Sequence, residues 1–158
     1  MKRYSFGNRQ GGNNPPLNRT IMEVINVTIS WSGKNYCACT KGDEVNGVIA
    51  VTNKSLDGLK KDFSESLKFH IEGCIQDNDI LPDWVVSGNY MLNFILDASA
   101  LIHSLDGIIV RSAIARVTGI NEKLIGHYAS GNRNPRQKQR EKIVNGIHVI
   151  NRELASIV

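Results

Sequence analysis

The stretch RVTGINEKLIGHYASGNRNP, Arg116–Pro135, sets the reading of the C-terminal half of this chain. A short helical segment stops at Gly119, and a second starts at Asn121 and runs to Gly131 before spilling into Arg133, Asn134 and Pro135. Ala115 is the small residue of the first segment, and Gly119 follows it by four at the turn. Ile120, Ile125 and Tyr128 supply the apolar positions that lock the second segment against the first. Those five residues have helix-turn-helix spacing: the alanine lets two helices cross closely, and the glycine permits a backbone that other residues resist. Asn121 is the expected cap of the second helix. Glu122, Lys123, Gly126, His127 and Ser130 then fall on its outer face, the face a recognition helix presents to a DNA major groove.

An alanine and a glycine also occur in ordinary helix–helix corners, so the plain alternative is two packed helices of a bundle. Three features favour DNA. Five positions match together, the segment is the most basic folded part of the chain, and Arg133, Asn134, Arg136, Lys138 and Arg140 follow where phosphates would lie. Lys123 and His127 are the candidates for base edges, with Asn121 and Ser130 nearby. Gly126 reads two ways, as room for close approach to DNA or as a mere loss of helix propensity. Asp97–Leu105 adds a helix before the motif, closed by Asp106-Gly107. Pro135 is expected to open a long helix after it, with Ile143, Ile147, Ile150 and Leu154 at helical spacing, as core or as interface.

Working outward, the charge divides the chain. Residues 1–21 carry Lys2, Arg3, Arg9 and Arg19 and no acid, which equals the whole net charge of +4. Residues 22–105 hold 6 basic and 11 acidic side chains, a net of −5; residues 106–158 hold 9 and 4, a net of +5. Such asymmetry points to two partners of opposite sign. The segment 1–21, rich in Gly, Asn, Pro and Arg, has too little apolar surface to offset the entropy of ordering it and is expected to be a disordered basic tail. Met22, directly before the first structured segment, is a candidate start.

From Glu23 the text alternates. Val24, Ile25, Val27, Ile29 and Trp31, a turn at Ser32–Asn35 and renewed alternation over Tyr36–Thr40 predict a hairpin; Gly47–Thr52 predicts a third strand. Leu56, Leu59, Phe63, Leu67, Ile71 and Cys74 recur at steps of three and four, marking an amphipathic helix capped by Ser55 and ending around Gly73. His70 beside that stripe reads as a packing residue. The segment IQDNDILPD reads as loop, and Tyr90–Leu96 as a fourth strand. The expected fold class is therefore α+β: a small sheet-plus-helix module over 22–97, then an all-α helix-turn-helix bundle over 98–158.

No catalytic residue emerges. The acids of the first module scatter over loops and helix surface, not in the strand-borne cluster that two-metal nuclease chemistry requires. No Gly-rich phosphate loop, G-x-S-x-G or H-E-x-x-H occurs. Three cysteines, Cys37, Cys39 and Cys74, form neither a closed disulfide framework nor a zinc signature, so no metal or cofactor is expected. With 41% hydrophobic residues, no stretch near the ~20 apolar residues of a membrane span and no apolar run after the N-terminal basic residues, a cytoplasmic protein is expected.

The order of elements resembles the HicB antitoxin family, in the variant whose C-terminal half is an Xre-like helix-turn-helix. The resemblance covers about 22–158 and is carried mostly by the run from Ala115 through GINEKLIGHYASGNRNP; the N-terminal half matches by element order more than by motif. It implies a degraded ribonuclease-H-like module, without catalytic acids, that binds and neutralises a small basic, mRNA-cleaving HicA-like toxin. It further implies a C-terminal domain that binds double-stranded promoter DNA of its own operon, as a homodimer or higher oligomer. The residues 1–21 have no place in the family pattern. A stand-alone regulator whose N-terminal module binds a ligand or another protein remains the alternative; an enzyme delivered by its DNA-binding half ranks behind both.

Overall fold

Alternation beginning at Glu23 makes β1 (Glu23–Trp31), with Ile25, Val27 and Ile29 fully buried and Val24, Asn26 and Thr28 facing outward. In this computed structural model, which describes residues 22–156, a tight turn leads into β2 (Tyr36–Gly42), and a 3₁₀ turn at Asp43–Val45 leads into β3 (Gly47–Asn53). The 21-residue helix α1 (Leu56–Gln76) and the short α2 (Asp83–Val86) then carry the chain across to β4 (Tyr90–Leu96). The sheet order is β3-β2-β1-β4; the first three strands are antiparallel neighbours, whereas β4 runs parallel to β1, with Val27 beside Phe94. A parallel partner requires a crossover, which α1 and α2 supply.

One face of the sheet is covered by α1, whose Leu59, Phe63, Leu67, Ile71 and Cys74 are buried. The leucine, isoleucine and phenylalanine side chains among them each contribute about 1.5–3 kcal/mol when taken fully out of water. Ser55 caps α1 by accepting from Gly58 N–H at 3.1 Å, and His70 bonds the carbonyl of Val45 at 2.6 Å. Among the described residues no helix lies over the opposite face. Its described strand residues include Val24, Asn26, Thr28, Met91, Asn93, Ile95 and the half-buried Cys37 and Cys39, and no carboxylate among them.

Four helices follow: α3 (Ala98–Ser104), α4 (Arg111–Thr118), α5 (Glu122–Ala129) and α6 (Gln137–Ala155). They enclose a second apolar cluster containing Ile102, Ile114, Ile120, Ile125, Tyr128, Ile143 and Ile150. Helices α4 and α6 pack closely at Gly146, where a Cβ would sit 2.5 Å from a methyl of Thr118. The two clusters meet at α3. Asp97 N–H donates to Ile29 carbonyl at 2.7 Å, Trp31 N–H to Ser99 Oγ at 3.4 Å, and the His103 ring stacks on Trp31 with centroids 3.6 Å apart.

Three expectations need correcting. The first helix does not end around Gly73: Cys74 one residue on is buried, so the apolar stripe carries the helix to Gln76, and Asn78 in the left-handed region (φ 59°) turns the chain away. The segment 75–83, expected to be loop, is loop over 77–82; its first two residues belong to α1 and its last opens α2, whose Val85 is buried with Leu81 against the sheet's core. The last helix opens at Gln137, not Pro135; Pro135 is buried, and its carbonyl accepts from Arg140 Nε at 2.9 Å. Within that helix Ile143 and Ile150 are core, Ile147 is half-buried, and Leu154 is 58% exposed. The expected disordered tail over 1–21 lies outside the described residues. Among the described residues no helix is long and apolar enough to cross a membrane.

Candidate nucleic-acid interface

The α4–turn–α5 unit is built from local bonds. Gly119 closes α4 with φ 67°, its N–H donating to Ala115 carbonyl at 2.9 Å. A side chain at such a φ is strained, which accounts for glycine there. Thr118 Oγ1 donates to Ile114 carbonyl at 2.7 Å and accepts from Ile120 N–H at 3.2 Å, so a buried hydroxyl fixes the turn. Ile120, Ile125 and Tyr128 enter the second cluster, and Ala115 packs half-buried beside them. Asn121 Oδ1 accepts from Lys123 N–H at 2.9 Å, making its side chain a cap.

The outer face of α5 becomes the floor of an open groove lined by Glu122, Lys123, Gly126 and His127 together with Arg111 from the start of α4. Arg111 is the residue that sequence reading missed. Its Nε donates to Asp106 Oδ1 at 3.1 Å and its Nη2 to Oδ2 at 2.7 Å. The bonds from Arg111 hold the Asp106 carboxyl below the usual carboxylate range, and the same bonds push the arginine up. Both groups are well exposed, so this pair fixes an orientation more than it stabilises the fold. A signal was available, an aspartate five residues before an arginine at a helix start, but nothing in spacing alone sets Arg111 across from Gly126.

A second concavity gathers Arg133, Asn134 and Arg136 with Leu124, Tyr128 and Gln139, immediately past the end of α5. Gln139 Oε1 there is buried and has no hydrogen-bond partner among the described residues. Lys138 is exposed on the first turn of α6 and lines neither concavity. Ser130 also lies apart. It caps α5, its hydroxyl donates to His127 carbonyl at 3.2 Å, and its own carbonyl would be 2.8 Å from a Cβ at Gly33 in the β1–β2 turn. Ser130 is thus a contact to the sheet module, not a member of the groove.

Elsewhere, chemistry-bearing side chains are dispersed. Among the described residues no group of three His, Cys, Asp or Glu is arranged to hold a metal ion, and all three cysteines are free. Burial, and then the neighbouring Cys39, push the Cys37 thiol up, so it remains protonated at neutral pH. The acids Asp57, Asp62, Glu65 and Glu72 are carried by α1. The chain matches no family model, no curated protein and no solved structure.

Proposed function

We propose that this chain is the antitoxin of a type II toxin–antitoxin pair: its α+β module binds and neutralises a small, basic, HicA-like mRNA-cleaving toxin, and its helical half represses the operon through a helix-turn-helix. The observation that carries the DNA half is the pairing of one groove on the outer face of α5 with a basic concavity just beyond that helix. The first suits base edges and the second suits phosphates, which position a protein without reading sequence. One recognition helix covers half a site, so the protein acts as a homodimer or higher oligomer.

The toxin half is supported by layout and charge. Three antiparallel strands, a helix and a strand parallel to the first agree with the ribonuclease-H-like arrangement that the family resemblance implies. The uncovered sheet face presents Asn26, Thr28 and Asn93 where nuclease chemistry would need carboxylates. Four of the acids lie on α1 beside three lysines and the rest on loops, short helical turns and strand ends; it is the net of −5 over residues 22–105 that has the right sign for a basic partner. On this reading the protein works by stoichiometric binding, with no cofactor.

Untagged co-purification from the native host tests it. A small basic protein leaving the column in stoichiometric amount, and protection of the operon's own promoter in a footprinting experiment, are expected. Promoter protection without such a partner overturns the toxin half and leaves a regulator; a partner without promoter binding overturns the DNA half.

A further inference from the structure

We propose that Arg111, held in place by Asp106 and seated against Gly126, reads a guanine in the major groove. This rests on the DNA-binding reading above and names a base that the site recognises. The guanidinium has five donors in a rigid plane. Asp106 engages the edge formed by Nε and Nη2, at 3.1 and 2.7 Å, and so sets the orientation of the plane. The free donors are those of Nη1 and the second hydrogen of Nη2. Together they form the end of the fork, whose spacing matches the O6 and N7 acceptors that guanine alone displays in the major groove.

Gly126 lets the guanidinium come close to α5. A Cβ at position 126 would lie 3.3 Å from Arg111 Nη1, so this atom packs against the bare backbone of the groove floor. A longer side chain there would displace the guanidinium from its seat beside Asp106. Gly126 therefore makes room for Arg111.

Charge separates guanine from phosphate as the ligand. Arg111 and Lys123 share their surroundings with Asp106 and Glu122, so the groove carries no net charge to attract a phosphate. The phosphate-type cations lie elsewhere: Arg133, Arg136 and Lys138 form no salt bridge among the described residues. A cation neutralised by a carboxylate is poorly suited to bulk attraction and well suited to directional hydrogen bonding.

Selection of bound duplexes from a random library, with the full chain and its Arg111→Ala, Arg111→Lys and Asp106→Asn variants, tests the assignment. The wild type should select one G·C pair per half-site that Arg111→Ala no longer selects, with a loss of about 10- to 100-fold on the wild-type site. A duplex changed at that base pair should bind wild type and Arg111→Ala alike. Arg111→Lys, which keeps charge and stem, should fail to restore the guanine. Asp106→Asn should weaken the preference without abolishing binding. A uniform loss on all sequences with a flatter salt slope would show a phosphate contact and overturn the proposal, as would an unchanged motif in Arg111→Lys. A wild type that selects no sequence overturns the DNA-binding reading itself, an outcome distinct from both.

Discussion

Lys123 and Arg136 occupy different concavities, and substitution should separate their roles. Lys123 lies on the floor of the α5 groove, where Lys123→Ala should cost about 1–3 kcal/mol on the specific promoter site and little on unrelated duplexes. Arg136 lies in the basic concavity beyond the helix; Arg136→Ala should weaken binding to all sequences and lower the salt slope by about one. Binding isotherms over a range of salt check both, and an unchanged slope in Arg136→Ala would remove it from the phosphate contacts. A third residue-scale expectation concerns pH. Because Arg111 lowers the Asp106 pKa on folding, whatever the pair contributes is complete above the unfolded carboxyl value and is lost as pH falls through the folded one. The Arg111 Nε–H resonance should therefore hold its position from neutral pH down to about 4 and shift only below that. A shift between pH 5 and 7 would mean that the pair is not formed as described.

Elements were legible where periodicity is local. The steps of three and four in α1 and the alternation in β1 follow from which side chains face the core, so the sequence displays them directly. The face of α5 was legible for the same reason, since Glu122, Lys123, Gly126 and His127 share a helical side opposite Ile125 and Tyr128. What was not legible depends on contacts from elsewhere: α2 forms because Leu81 and Val85 find the sheet's core, and Arg111 enters the groove because Asp106 holds it across a loop. The run of α1 past Gly73 belongs to this class and makes a prediction about the element. A Cβ at Gly73 meets nothing within 4 Å, so Gly73→Ala should stabilise the protein by about 0.5–1 kcal/mol through the helix backbone alone. Ser55→Ala at the other end removes the cap and should cost about 1 kcal/mol. Urea denaturation of the two variants, each against wild type, measures both signs; a destabilising Gly73→Ala would contradict a helix running to Gln76.

At the scale of the whole molecule, two contacts between the sheet module and the helical half bear on the groove. One is α3, through Asp97, Ser99 and the stacked Trp31 and His103. The other is a backbone-to-backbone contact in which the β1–β2 turn meets the end of α5: a Cβ at Gly131 would lie 2.7 Å from Gly33 nitrogen and 3.0 Å from Ser32 carbonyl carbon. This contact ties the sheet module to the helix that lines the groove, and it can be tested apart from backbone strain. Gly119 and Gly131 both have left-handed φ, 67° and 73°, but a Cβ at Gly119 meets nothing within 4 Å. Asparagine tolerates that region better than most residues. Gly119→Asn should therefore cost about 1 kcal/mol or less, the left-handed penalty alone. Gly131→Asn carries the same penalty and must also push two backbones apart, so it should cost distinctly more. Hydrogen exchange should then rise at the amides of Ser32–Asn35 in Gly131→Asn and stay unchanged there in Gly119→Asn. Equal losses with no change in the turn would mean that the β1–β2 turn does not hold the groove helix.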